Sequence, residues 1–437
     1  MESEAGFTTA MGVALATMVL AYIVIFTELI HRSSAALAGG ILMIGVGTWM
    51  GFYSQTAAVQ AIDANTMFLL ISMMMMVVML RPTGGFEYLA IKIAKASGSD
   101  PRRLLVFLCI AVSVISMFLD NVTTVLIFAP LTVLITRLLN INPLPFLMAE
   151  AMLSNIGGAS TLVGDPPNIM IGSAGNIDFM TFILNMGPII CVVWFCTIGL
   201  TLFLFREYLN QPITVELDLD ESKAIKDPVA LKKTLFALSI TIILFFVHHH
   251  FHLFPSYVAF IGAAIALVLV QPDPETLYGE MEWSVLVFFA GLFVIVGGVE
   301  SSGLLDLVGF ELADFAKQED QLLLACILLM WVAAVLSAIV DNIPFTVTMI
   351  PIVQGLEAQG VPVLPLWWAL AIGVGIGGNG SHIGATANVI CVTESERCGI
   401  PEARITPMLW LRKGLPMMVF SLIMATIAFS VGFDYLR

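Results

Sequence analysis

Three aspartates stand inside runs apolar enough to sit in lipid: Asp120 in "FLDNVTTVLIFAP", Asp165 in "GGASTLVGDPPN" and Asp341 in "SAIVDNIPFTVTMIP". A carboxylate at bilayer centre costs about 2.5–3.5 kcal/mol on insertion scales, so such acids usually serve an ion, a proton or a partner group. Burial favours the neutral acid, which suits these three to reversible protonation and hence to proton coupling. Asp165 is flanked by residues that oppose a helix. Pro166 and Pro167 lack amide hydrogens, and their rings clash with the preceding turn. A second stretch, "GGNGSHIGATAN" from Gly377 to Asn388, repeats the skeleton Gly-Gly, five residues, Gly, three residues, Asn. Irregular backbone in hydrocarbon is tolerated where it lines a cavity or lies buried in protein. Gly157, Gly158 and Gly164, with their mates Gly377, Gly378 and Gly384, allow unusual dihedrals and close approach. The carbonyls and amides thereby freed, together with Thr161, Asn168, Asn379, Ser381, His382, Thr386 and Asn388, can ligate a small polar solute. Asn121, Thr123 and Asn342 join them from the two Asp-Asn stretches. Half-helix ends add their dipoles. A blander reading, in which glycines only allow helices to pack tightly, covers Gly-Gly but not Asp-Pro-Pro-Asn.

Other residues compete for attention. Asp120 and Asp341 formally qualify as the facing pair of an intramembrane aspartyl protease, but each stands beside an asparagine in a duplicated stretch, which suits a gate better. "HHHFH" sets His248 and His252 at metal-binding spacing, at a helix end where solvated histidines are the commoner case. Glu150 reads as a dipole cap near a helix start. Met73–Met76 read as lipid-facing or core. The six cysteines form no CxxC and no zinc spacing, and most, lying in apolar runs, read as small buried hydrophobes. No metal and no cofactor is expected.

The elements that must hold these residues are membrane helices. The 437 residues are 59% hydrophobic and 11% charged, with mean hydropathy +0.97, against about 25% charged for a soluble domain. Apolar runs of bilayer length recur, and the ~10-residue alternation of a barrel is missing. The net charge of −14 and the lack of a basic cluster exclude nucleic acid as a partner. "MESEAG" is acidic, so the first apolar run reads as a retained helix rather than a cleaved signal.

The chain repeats itself. Thr66 and Ser284 open matching segments at an offset of 218, the two Asp-Asn stretches match at 221, and the Gly-Gly motifs match at 220. Residues 1–209 and 234–437 thus form two repeats, joined by a charged linker at 210–233. Arg81–Arg103 is basic, whereas its mate around Glu300–Gln321 holds only Lys317. After the Gly-Gly motifs the bias reverses: "GSAGNIDFM" has no Lys or Arg, and Thr393–Lys413 has four. Equivalent loops of opposite bias predict inverted topology, with the linker cytoplasmic and the N-terminus outside. "FEYLAIKIAKA" predicts an interfacial helix. Segments 104–139 and 321–354 are too long for one crossing. Split at their Asp-Asn pairs, arms of roughly 15 residues reach only about 22 Å against a core of ~30 Å. Each therefore predicts a re-entrant hairpin with Asp-Asn at its tip, followed by broken helices over about 146–182 and 366–392. The expected fold class is an all-α polytopic membrane protein, each repeat having five crossings, one hairpin and one broken helix. Two broken helices and two tips meeting at midplane describe a secondary-transporter site.

At "FLDNVTTVLIFAP", "SNIGGASTLVGDPPNIMI", "SAIVDNIPFTVTMIP" and "GGNGSHIGATANVI" the sequence resembles the ion-transporter superfamily, most nearly the ArsB/NhaD permease group with its arsenite and silicic-acid effluxers and P protein. The resemblance covers nearly the whole chain. It implies a scaffold and a mobile transport domain, a homodimer, a cytoplasmic ATPase subunit as partner by analogy, and residence in the plasma (inner) membrane. The function it implies is proton-coupled efflux of a small oxyacid, with arsenite as neutral As(OH)₃ favoured. The alternatives are a Na⁺/H⁺ antiporter or a silicic-acid or anion carrier.

Overall fold

The computed structural model describes residues 7–27, 29–98, 100–210, 221–308 and 319–437. The first residues, the centre of the linker and the loop around Lys317 lie outside them. The described residues are helical, without a strand. The first half runs α1 (Thr9–Thr27), α2 (Arg32–Met50), α3 (Ala64–Leu80), α4 (Gly85–Ala96), α5 (Pro101–Ser116), α6 (Asn121–Leu138), α7 (Leu144–Gly158), α8 (Pro166–Ala174) and α9 (Phe179–Leu204). The second runs α10 (Pro228–Val247), α11 (Pro255–Val270), α12 (Trp283–Ser301), α13 (Glu319–Ile339), α14 (Asn342–Ala358), α15 (Leu364–Gly377), α16 (Thr386–Arg397) and α17 (Pro407–Val431). Nine helices among the described residues are long and apolar enough to cross a membrane. Helices α4, α5, α7, α8, α11, α14, α15 and α16 fall outside that set, whereas α6 and α13, one arm of each expected hairpin, fall within it.

Packing follows the duplication. Helix α5 lies on α7 as α13 lies on α15, and α2 on α12 as α11 on α3; α6 meets α16 as α14 meets α8. Close contact is set by small residues. A Cβ on Gly157 would lie 2.5 Å from the Ser113 carbonyl oxygen, and one on Gly377 would lie 2.5 Å from that of Ala334. These two glycines therefore bring α7 against α5 and α15 against α13, which is the packing role.

Local signals place the ends. The Asp120 side chain caps α6 by accepting the Thr123 amide, and that of Asp341 caps α14 by accepting the Ile343 amide. Pro166 and Pro167 open α8, where a missing N–H is harmless. The first broken helix ends at Ala174, earlier than expected, because Asp178 caps a new helix through Thr181. Thr406 likewise caps α17, so Arg412 and Lys413 stand in its first turns rather than in a loop. Helix α4 forms as expected and packs on α6.

Candidate functional site

The two broken loops close on themselves in the same way. The Asn168 side-chain amide donates to the carbonyls of Gly158 (3.2 Å) and Thr161 (2.9 Å). The Asn388 amide donates to Gly378 (2.7 Å) and Ser381 (2.9 Å). The carbonyls read as free ligands are thus held by the asparagine that ends each motif. The Thr161 hydroxyl donates to the Met117 carbonyl and accepts the Gly164 amide, tying the loop to the hairpin. The loop explains the glycines too: a Cβ on Gly158 would lie 2.4 Å from the Gly164 carbonyl oxygen.

Between the loops runs a buried amide chain. Asn121 at the first tip donates to Asn155 Oδ1 (3.0 Å), and Asn155 donates to Asn379 Oδ1 (2.9 Å) and Asn388 Oδ1 (3.1 Å). Asn379 is held in turn by its donation to the Met152 carbonyl (3.2 Å) and by the Trp410 indole on its own carbonyl (3.1 Å). Asn155 was not among the expected residues. Its position two residues before Gly-Gly is the only sequence signal, because one asparagine inside a regular helix looks like any buried polar residue.

Acids surround this chain. Asp165 is 1% exposed, with the Asn342 amide 3.4 Å from both carboxylate oxygens, and it lies within electrostatic reach of Asp120 and Asp341. Asp341 is paired with Arg32 at 3.4 Å, and the same guanidinium donates to Thr386 Oγ1 (2.8 Å) while lying over the Phe288 ring. Arg32 is the second residue that sequence reasoning missed. At the start of α2 it looks like an ordinary boundary cation, and only tertiary packing brings it to the second tip. Asp120 adopts φ +29° and ψ 154°, a conformation costly for a residue with a Cβ. The Gly164 carbonyl holds that tip by accepting the Asn121 amide (3.1 Å).

Several expected residues stand elsewhere. His382 is half-buried and is followed by exposed Ile383, at the rim of the second loop. The Ser381 hydroxyl accepts the Ile383 amide, whereas Thr123 stays at the first tip, buried, with its amide on Asp120 (2.8 Å). Glu150 does not cap a helix. It lies mid-α7, fully buried, accepting from the Thr132 hydroxyl, with Oε2 lacking a donor. His248 is buried rather than solvated. Its Nε2 accepts the Phe179 amide (3.2 Å) and its Nδ1 bonds the Leu253 carbonyl, which leaves no ring nitrogen for a metal shared with exposed His252. Cys391 lies one turn beyond Asn388, nearer the site than the cysteine spacing suggests.

Two open cavities flank the centre. One is lined by Arg32, Glu282, Ser284, Thr386, Thr393 and Arg397, the other by Asp63, Met170, Ser173, Glu300, Val347 and Gln354. They are mates, with Glu282 answering Asp63 and Thr393 answering Ser173 at offsets of 219 and 220.

Comparison with known proteins agrees with this architecture. The family profile CitMHS, "Citrate transporter", matches residues 22–373. A "46 kDa membrane protein" of Mycobacterium leprae is 36% identical, covering 95% of this chain and 97% of that one. "Uncharacterized transporter Rv2684" of Mycobacterium tuberculosis is 38% identical over the same shares. "P protein" of Homo sapiens is 33% identical over 94% of this chain, which spans 58% of that protein's length. The crystal structure of the Alcanivorax borkumensis YdaH transporter, described as having an unusual topology, superposes with TM-score 0.58 at 13% identity, covering 98% of this chain and 99% of that one. The profile match differs from the ArsB/NhaD expectation. The motifs lead to the right superfamily and to P protein, but their wording does not separate permease groups within it.

Proposed function

The chain belongs to the CitMHS citrate-transporter family of the ion-transporter superfamily and is a multi-pass membrane transporter; from that premise we propose a proton-coupled carrier that moves a small solute of little negative charge past the two hairpin tips. The observation that carries this reading is the charge balance at the centre. Asp120, Asp165 and Asp341 lie close together against one guanidinium, Arg32, which Asp341 already engages. Such a site repels a bare polyanion, so a citrate-like carboxylate enters only protonated or complexed with a cation. An uncharged oxyacid such as As(OH)₃ fits the amide chain without that cost. Arsenite is therefore one solute of the class, no longer favoured by the motifs. Sodium–proton exchange is the second reading, supported by the side-chain oxygens of Asn121, Asn168 and Asp165.

The repeats are read as inverted. Supporting this, Glu282 at the start of α12 lies within electrostatic reach of Arg81, which follows α3, its repeat mate. Neighbouring charges at opposite ends of mated helices fit antiparallel placement, with one mated cavity on each side of the membrane. The basic loops put the Arg397 cavity on the cytoplasmic side.

The test uses everted membrane vesicles with a ΔpH-sensitive dye, challenged with arsenite, silicic acid, sodium, and citrate with and without magnesium. Expected is a saturable, solute-dependent collapse of ΔpH. Solute flux that proceeds at the same rate with ΔpH abolished, and moves no protons, would overturn proton coupling.

A further inference from the structure

The turn between α10 and α11 carries four histidines, and only His248 among them is buried; His249, His250 and His252 are exposed. Both ring nitrogens of His248 are in use. Nε2 accepts the Phe179 amide (3.2 Å), and Nδ1 bonds the Leu253 carbonyl. A carbonyl only accepts, so the hydrogen sits on Nδ1 and the ring is neutral. Phe179 is the first residue of α9, where an amide has no acceptor within its own helix. Asp178, just before it, caps that helix through the Thr181 amide and hydroxyl and leaves the Phe179 amide to the imidazole. The Phe179 ring stacks on Phe245, with centroids 5.2 Å apart, and meets Phe246 edge-on, which holds the amide against the turn.

This hydrogen bond joins two sets of helices. Helices α10 and α11 pack on each other and on α3, whereas α9 packs chiefly on α17 and α7. A short turn after Ala174 separates α9 from α8, whose first residue follows Asp165 in the broken loop. The mated turn between α1 and α2 also reaches the other set, where it supplies Arg32 to Asp341 and Thr386. One turn thus holds its partner with a permanent charge, and the other with a ring that can gain one. Beside His248 lies a cavity of about 270 Å³. Its other titratable groups are His249 and His252 from the same turn and Asp178 from the facing one; α3, α8 and α11 add Asn65, Ser173 and Ser256, which do not titrate. Asp178 lies within electrostatic reach of both His248 and His249. Asp63, at the start of α3, is engaged by the Ser173 hydroxyl and the Asn65 and Thr66 amides.

We propose that His248 is a proton-controlled latch on the face opposite the Arg397 cavity. A proton arriving through the cavity beside it adds to Nε2, whose lone pair now accepts the Phe179 amide. The acceptor becomes a donor facing another donor, the hydrogen bond is lost, and the charged ring turns to the Asp178 carboxylate. The latch is therefore closed while the ring is neutral and opens as pH on that face falls. Histidine suits the task because its charge changes in the physiological range. Opening frees the start of α9 and, through the turn after α8, the element that follows the first broken loop. The latch lies outside the central site, and it needs no assumption about the solute or the coupling ion.

The Phe179 amide is itself the reporter, because its hydrogen bond runs to the imidazole. Hydrogen exchange of the purified full chain in detergent, read by mass spectrometry at single-amide resolution, is compared at about pH 5 and about pH 8. Protection is expressed against an unstructured peptide at the same pH. Expected is a fall of at least about tenfold at Phe179 on acidification, with protection in α7 unchanged. His248→Gln keeps an oxygen that can accept the amide but cannot titrate, so its protection should be equal at both pH values. His249→Gln and His252→Gln should keep the wild-type response. Asp178→Asn retains a helix cap but removes the acid that receives the charged ring, so it should move the loss of protection to lower pH. It carries the test if His248→Gln does not fold. Protection at Phe179 that ignores pH in the wild type overturns the latch. So does a pH response that survives in His248→Gln, or one left unmoved in Asp178→Asn where only that variant folds. An equal fall in α7 would mark general loosening and would overturn it too.

Discussion

The centre of the protein illustrates how differently one residue type can be used. Asn168 and Asn388 staple their loops, whereas Asn121, Asn155 and Asn379 form a chain between the two halves. The presence of all but Asn155 is legible from motif spacing, but their roles are not, because an amide's orientation depends on which neighbours tertiary packing brings. Arg32 and Glu150 make the same point: one looks like a boundary cation and lies at the second tip, the other looks like a cap and is fully buried. The Arg32–Asp341 pair yields a prediction at this scale. Its side chains are 28% and 13% exposed, so Arg32→Gln strands a carboxylate that is mostly out of water. Arg32→Gln should lower thermal stability, and adding Asp341→Asn should recover part of the loss, with a coupling on the order of 0.5–3 kcal/mol. A double-mutant cycle in detergent melts measures this. Strictly additive losses would mean the pair does not interact in solution.

Among the elements, the helical breaks at the Asp-Asn pairs and after the Gly-Gly motifs were readable, because aspartate, proline and glycine interrupt apolar runs. The 36-residue run splits at Asp-Asn into α5 and α6, and α6 alone reaches the length of a candidate span. The finer ends were not readable, since Asp178 and Thr406 start helices by side-chain capping that loop-like composition conceals. Glycine is equally ambiguous in sequence and separates only by contact. Gly157 and Gly377 press on the Ser113 and Ala334 backbones, while Gly199, exposed on α9, has nothing within 4 Å of an added Cβ. Gly157→Ala and Gly377→Ala should each destabilise by about 1–3 kcal/mol through overpacking. Gly199→Ala should stabilise by up to about 1 kcal/mol through helix propensity. Thermal melts of the three variants decide it; if all shift alike, hairpin packing is not what these glycines serve.

For the whole molecule, the proposed carrier with inverted repeats gives the two mated cavities a testable role. Inverted repeats need not adopt the same conformation at once, so one cavity can open while its mate closes. The two tips already differ in this structure: Asp120 holds φ +29° against −47° for Asp341, and only the second tip carries the Arg32 pair. Two single-cysteine variants, Ser173→Cys and Thr393→Cys, report on the two mouths. Their background has all six native cysteines replaced by serine, since Cys191 is exposed and Cys196 partly so. An impermeant thiol reagent should reach position 393 only from the cytoplasmic face and position 173 only from the opposite face. Adding solute together with a proton gradient should change the two labelling rates in opposite directions, because closing one mouth accompanies opening the other. Labelling of both positions from one face would remove the inverted arrangement. Rates that rise together would indicate a continuous pore, and the protein would then conduct as a channel rather than carry.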